Sequence, residues 1–121
     1  MAGYLPKFES GPAVTFTVSA DVTGGRLVAL TGARTVGPAG ADSAVVIGVA
    51  GFDQVVGESV TVYCRPTGVH QLVASAAIAV GAKVISATGG KVATVGAGAN
   101  PIGIALEAAA ADLDVIDVLF I

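Results

Sequence analysis

The sequence predicts an all-β fold, and three observations carry that expectation. Val14, Phe16 and Val18 alternate with Thr15, Thr17 and Ser19, the period of two that gives a strand one buried face. Ser43-Ala-Val-Val-Ile-Gly-Val-Ala-Gly51 is too rich in β-branched residues to favour helix. The 17 glycines fall mostly between such segments, where a positive φ lets the chain reverse.

The elements follow in order. After the strand around Val14–Val18 come Arg26–Thr31, Ala44–Ala50 and Ser59–Cys64. Val69–Ala74, Lys83–Ala87, Lys91–Val95, Ile102–Glu107 and Asp114–Phe120 complete the set. Thr88-Gly-Gly, between Ala87 and Lys91, supplies a tight hairpin turn. Helix is confined at most to a turn near Glu107–Asp112. The stretch Ala99-Asn-Pro-Ile-Gly-Ile-Ala-Leu-Glu-Ala-Ala109 reads either way by propensity, because its alanines favour helix and its Ile-Gly-Ile favours strand. An echo decides for strand: Ile102-Gly-Ile-Ala105 repeats Ile47-Gly-Val-Ala50 at an offset of 55.

That echo belongs to a longer repeat. Val22-Thr-Gly-Gly25-Arg-Leu-Val28 matches Ile78-Ala-Val-Gly81-Ala-Lys-Val84 at an offset of 56, and Thr31-Gly32 matches Thr88-Gly89 at 57. Residues 13–64 and 69–120 read as two diverged copies of one β-unit within a single domain, 13–121. Superposition is expected to pair Gly25 with Gly81 and Ile47 with Ile102. In each unit an apolar residue enters the core, glycine reverses the chain, and a second apolar residue returns it. The expected architecture is a small β-barrel-like domain of two diverged units with an extended N-terminal arm, residues 1–12.

Composition limits the function. Hydrophobic residues form 54% of the chain, aromatic residues 5% and charged residues 12%, so the surface is short of charge for a soluble monomer. Such a surface suits a protein that is covered by something. A mean hydropathy of +0.83 invites a membrane reading. Yet the longest uncharged run, Pro66–Ala82, is broken by Gly68, His70, Gln71 and Gly81. The N-terminus has no apolar signal core and no small-residue cleavage site. No membrane partner is expected. The single cysteine forms no intramolecular disulfide, which points to assembly in a reducing compartment. A net charge of −3, with six basic residues spread singly, argues against nucleic acid.

Catalytic constellations are missing from the pattern. His70 and Cys64 are the only residues of their types, too few for a metal site of three or four ligands or for a Cys/His or Ser/His/Asp arrangement that stands out from chance. His70 reads as a surface or interface residue and Cys64 as a small buried hydrophobe. Glu107, Asp112, Asp114 and Asp117 lack the spacing and central glycine of a calcium loop and read as a solvated acidic edge. No catalytic residue, metal or cofactor is expected, and no enzyme.

The N-terminal arm stands apart. Met-Ala-Gly-Tyr4-Leu5-Pro6-Lys7-Phe8-Glu9-Ser-Gly11-Pro12 lies outside the repeat and gathers Tyr4, Leu5 and Phe8 into one short stretch. A terminus of this kind is disordered unless something ties it down.

Ile78-x-x-Gly81-x-x-Val84, Thr88-Gly-Gly-Lys91-Val92, Ile102-Gly-Ile-Ala-Leu-Glu-Ala-Ala109 and the closing Val115–Ile121 segment together resemble the capsid decoration, or capsid cement, proteins of tailed bacteriophages. The resemblance covers most of the chain and is best in its second half. It implies a compact β domain on the outer capsid surface of the virion, made in the host cytoplasm. It also implies a homotrimer at three-fold positions that clamps neighbouring subunits of the major capsid protein. By location, the capsid contacts expected are Tyr4, Leu5, Pro6, Lys7 and Phe8. A β-rich adhesion or carbohydrate-binding module competes with this reading, although the chain has no Trp and only two Tyr. Another virion part, such as a tail subunit, also remains open.

Overall fold

Ten strands and one 3-10 turn make up the described residues, 13–66 and 68–121, of the computed structural model. The first five strands are β1 (Ala13–Val18), β2 (Leu27–Gly32), β3 (Thr35–Pro38), β4 (Val46–Ala50) and β5 (Ser59–Cys64). They close into a barrel in the order β1-β3-β2-β4-β5. Five antiparallel pairs from Ala13↔Tyr63 to Thr17↔Ser59 join β1 to β5, while β1 and β3 run parallel. The next five are β6 (Val69–Val73), β7 (Lys83–Ala87), β8 (Lys91–Thr94), β9 (Gly103–Ala105) and β10 (Val115–Phe120). Their sheet order is β6-β10-β9-β7-β8, and the outer strands meet at a parallel bridge, Ala74↔Val92.

The two circuits correspond pair by pair. The Ser19 N–H donates to the Val36 carbonyl at 2.8 Å, and the Ser75 N–H donates to that of Val92 at 2.9 Å. Gly25 and Gly81 have φ of 81° and 82°, and their N–H groups donate to Ala50 and Ala105, each at 2.8 Å. Val22 bridges Gln54 as Ile78 bridges Ala109. Ala50 faces Val62 and Ala105 faces Val118, which sets Ile47 opposite Ile102 in the correspondence. Most of these equivalences run at an offset of 56. The Thr31-Gly32 match is one residue out, because Leu30 faces Val36 as Ser86 faces Val92.

Glycine is required where two strands touch. A Cβ on Gly48 would fall on the Tyr63 carbonyl, and one on Gly103 would lie 2.6 Å from that of Leu119. The same close approach of β4 to β5 recurs between β9 and β10.

Two cores fill the molecule. Val18, Val22, Val28, Val36, Ala50, Val60 and Val62 fill the first barrel. A larger cluster runs from Leu72, Ile78, Val84, Val92, Ile102, Ile116, Val118 and Phe120 to Leu27, Ala29, Ala39, Val46 and Val49 of the first half. The alternation of β2 explains the sharing. Val28 points into its own barrel, while Leu27 and Ala29 point into the seam. Ser86 is the one buried polar side chain among the described residues, and it ties the seam. Its hydroxyl donates to the Gly40 carbonyl at 2.7 Å and accepts from the Ser43 N–H at 2.9 Å.

One local expectation changes, and two are refined. The strand β3 has no counterpart in the sequence reading, since its four residues include Gly37 and Pro38 and pattern as a turn. Thr88–Gly90 closes the expected tight β7–β8 hairpin as a 3-10 turn, with Gly89 and Gly90 at φ 77° and 75°. No helix forms near Glu107–Asp112, because Ala109 is held by Ile78 through two backbone hydrogen bonds of 2.9 Å.

Candidate functional site

The sequence reading places the candidate capsid contacts in the N-terminal stretch, residues 1–12. Tyr4, Leu5, Pro6, Lys7 and Phe8 themselves fall outside the described residues. The boundary is Ala13, which pairs with Tyr63, the residue before Cys64.

Beside it is the open mouth of the first barrel. Phe16, Val46, Ile47, Cys64, Arg65 and Pro66 line a largely apolar groove of about 480 Å³. The second half shows why this mouth is open. At the matching positions stand Leu72, Ile102 and Phe120, all buried, where the first half has half-buried Phe16, Ile47 and Cys64. Phe120 plugs its barrel and is covered by His70, with ring centroids 4.7 Å apart. Cys64 is too small to do the same. It is thus half-buried rather than buried as expected, and desolvation pushes its thiol pKa up. The Arg65 guanidinium edges the groove, its Nη1 donating to the Val46 carbonyl at 3.0 Å and its Nη2 to that of Ile121 at 3.1 Å. Its buried Nε has no hydrogen-bond partner among the described residues.

A second feature is the outer face of β6 and β10. Val69 and Leu119 pair there and are exposed, as are Val115 and nearby Leu106. Gln71 pairs with Asp117 in the middle of this face, and the matching first-barrel face carries Ala13–Tyr63, Thr15–Thr61 and Thr17–Ser59. Both faces mix apolar and polar pairs, and they differ most where Thr17–Ser59 stands against Val73–Val115.

The residues weighed for chemistry are structural where described. His70 is half-buried between Phe120 and Tyr63, the latter with ring centroids 6.4 Å away. Glu107 and Asp112 are exposed, as expected of a solvated group, and Asp114 and Asp117 are half-buried. The expected acidic edge is no sheet edge, since β10 lies between β6 and β9. Asp114 accepts from the Ala110 and Ala111 N–H groups at 2.7 and 3.1 Å, and Glu107 accepts from the Asp117 N–H at 2.8 Å. Asp112 pairs with Lys91 at 3.1 Å. These carboxylates shape the loop that precedes β10. Among the described residues, no three metal-ligating side chains gather, and no helix is long and apolar enough to cross a membrane.

Comparison with known proteins decides the family. A family model described as phage cement protein matches residues 8–120. The chain belongs to the phage cement protein family. This makes it a capsid-associated structural component of a phage virion. The family is a structural one. The solved head fiber gp8.5 N base of bacteriophage phi29 shares the fold, with a TM-score of 0.72 at 20% identity over 90% of this chain and 92% of that one. No curated protein matches the sequence. Sequence reasoning expected the arm, which lies outside the described residues, from its composition. It missed the groove, although aligning the two halves sets Cys64 against Phe120 and supplies the signal.

Proposed function

We propose that this cement protein binds the outer surface of the assembled capsid and clamps neighbouring major capsid subunits, without catalysis. The observation that carries this reading is the family match over residues 8–120. Exposed Val69, Val115 and Leu119 on β6 and β10 and the charge-poor surface support it, since exposed apolar patches mark interfaces. The protein acts as a homotrimer, needs no cofactor, binds no nucleic acid or membrane, and is made in the host cytoplasm before joining the shell. Residues 13–64 and 69–120 descend from one duplicated unit.

The mechanism is thermodynamic. A protein that binds only the assembled shell stabilises that state by mass action. Tyr4, Leu5, Pro6, Lys7 and Phe8 make the capsid contacts, and burying a bulky apolar side chain there is worth about 1.5–3 kcal/mol before ordering costs. Three arms on one trimer act together through effective concentration, so modest single-arm affinity becomes tight binding.

The test uses a variant lacking residues 2–10, assayed for thermal unfolding and for binding to empty heads. Near-normal unfolding with severely weakened binding is expected. Unchanged binding, or loss of the fold, would overturn the role given to the arm. Mass measurement of the protein released from heads checks the trimer, and a monomer touching no other copy on the shell counts against it.

A further inference from the structure

We infer that, in the free protein, the mouth of the first barrel is a docking site for this chain's own Phe8-Glu9. The mouth is lined by Phe16, Val46, Ile47, Cys64, Arg65 and Pro66 and opens beside the start of β1. Because β1 and β5 are antiparallel, each step back from Ala13 leads forward from Tyr63, towards Cys64, Arg65 and Pro66. The chain outside the described residues therefore starts at the rim of the groove. Phe8 lies five residues before Ala13, a reach of about 17 Å when extended. That is ample for the ring to turn back into a groove that begins one residue past Tyr63.

The second half shows what such an occupant does. In its mouth the position of Cys64 is held by Phe120, whose ring fills the barrel end against Leu72 and Ile102. An aromatic ring entering beside Cys64 restores that packing in the first half. The polar rim selects the neighbour of that ring. Arg65 Nε is a buried cationic donor without a partner among the described residues, a costly state in an apolar setting. Glu9 follows Phe8 directly and supplies a carboxylate acceptor. Tethering raises the local concentration of the pair to about the millimolar range, so a weak contact suffices to fill the site. This inference concerns the free protein and does not depend on the capsid reading.

The single cysteine is a built-in reporter. Cys64 lines the groove, so its alkylation by iodoacetamide measures whether the mouth is covered. Removing residues 2–10 is expected to speed alkylation at least tenfold. Phe8→Ala should reproduce most of that gain, and Glu9→Gln a twofold to threefold part. The rates should not change on hundredfold dilution. Limited trypsin digestion after Lys7 gives an independent reading. Cleavage should be slow in the native chain and at least fivefold faster in Phe8→Ala and in Cys64→Phe, where a ring already fills the mouth. An increase in alkylation of less than threefold on removing residues 2–10 overturns the inference. So does protection that disappears on dilution, which would assign the occupant to a second copy.

Discussion

The two halves of this protein follow one backbone circuit and put it to different uses. The first is a closed barrel with its own small valine core and an open mouth. The second closes through a single bridge, shares its core with the seam and plugs its mouth with Phe120. What they hold in common is backbone: the glycine corners, the close strand approaches and the hydrogen bonds that close the circuit. What differs is where side chains leave the barrel. Outward side chains differ between the halves, while glycine recurs at positions 48 and 103, where two strands touch.

That comparison predicts equal sensitivity at the strand contacts. Gly48→Ala and Gly103→Ala should each cost about 3 kcal/mol or more, because backbone carbonyls rather than flexible side chains stand in the way. Denaturant unfolding of the two variants checks this, and a large loss in only one would break the parallel. Unequal effects are expected at the seam. Ser86→Ala strands the Ser43 N–H and the Gly40 carbonyl and should cost about 1–3 kcal/mol. Its counterpart Leu30 is 42% exposed, and Leu30→Ser should change stability by about 0.5 kcal/mol or less in the same experiment.

The loops before β5 and β10 sharpen the comparison further. Gly57 has φ 89°, and Leu113, which makes the matching hydrogen bond, has φ 72°. A left-handed leucine is strained by roughly 1–2 kcal/mol. Leu113→Gly should therefore raise stability by about 1 kcal/mol, less the greater freedom glycine gives the unfolded chain. Calorimetric melting of the variant checks the sign.

The smallest effect is expected in acid. The Ala99 N–H, joined by that of Asn100 and opposed by desolvation, holds the Asp42 carboxyl below the ordinary aspartate range. A carboxyl depressed in the folded state contributes stability that is complete above its unfolded pKa and lost as pH falls through the folded one. The melting temperature of the native protein should drop as pH falls below the ordinary aspartate pKa, and Asp42→Asn should flatten that limb. Identical acid profiles would remove Asp42 from the seam's account.

Much of this fold was legible because strand patterns and glycine corners are local. Val14, Phe16 and Val18 announced β1 by alternation, and the shared spacing around Gly25 and Gly81 announced the matching corners. Thr35–Pro38 did not read as a strand, since its place is fixed by β1 and β2 rather than by its own residues. Ser86 was silent for a related reason. Its burial comes from the loop at residues 40–43, far away in the chain. The mouth was legible only by difference, as a cysteine standing where the other half has phenylalanine. The arm was expected from composition alone.

The central place of β10 bears on how the chain acquires its shape. It is the last of ten strands in chain order, yet it lies between β6 and β9 and joins both. A nascent chain can close its first barrel early. Leu27, Ala29, Val46 and Val49 then wait with no cover, because their partners belong to the second half. Pairing across such long separations is slow compared with local folding, and exposed apolar surface invites aggregation meanwhile. Cooling the culture, or supplying a chaperone that shields that surface until β10 is made, should improve the yield of correctly folded protein.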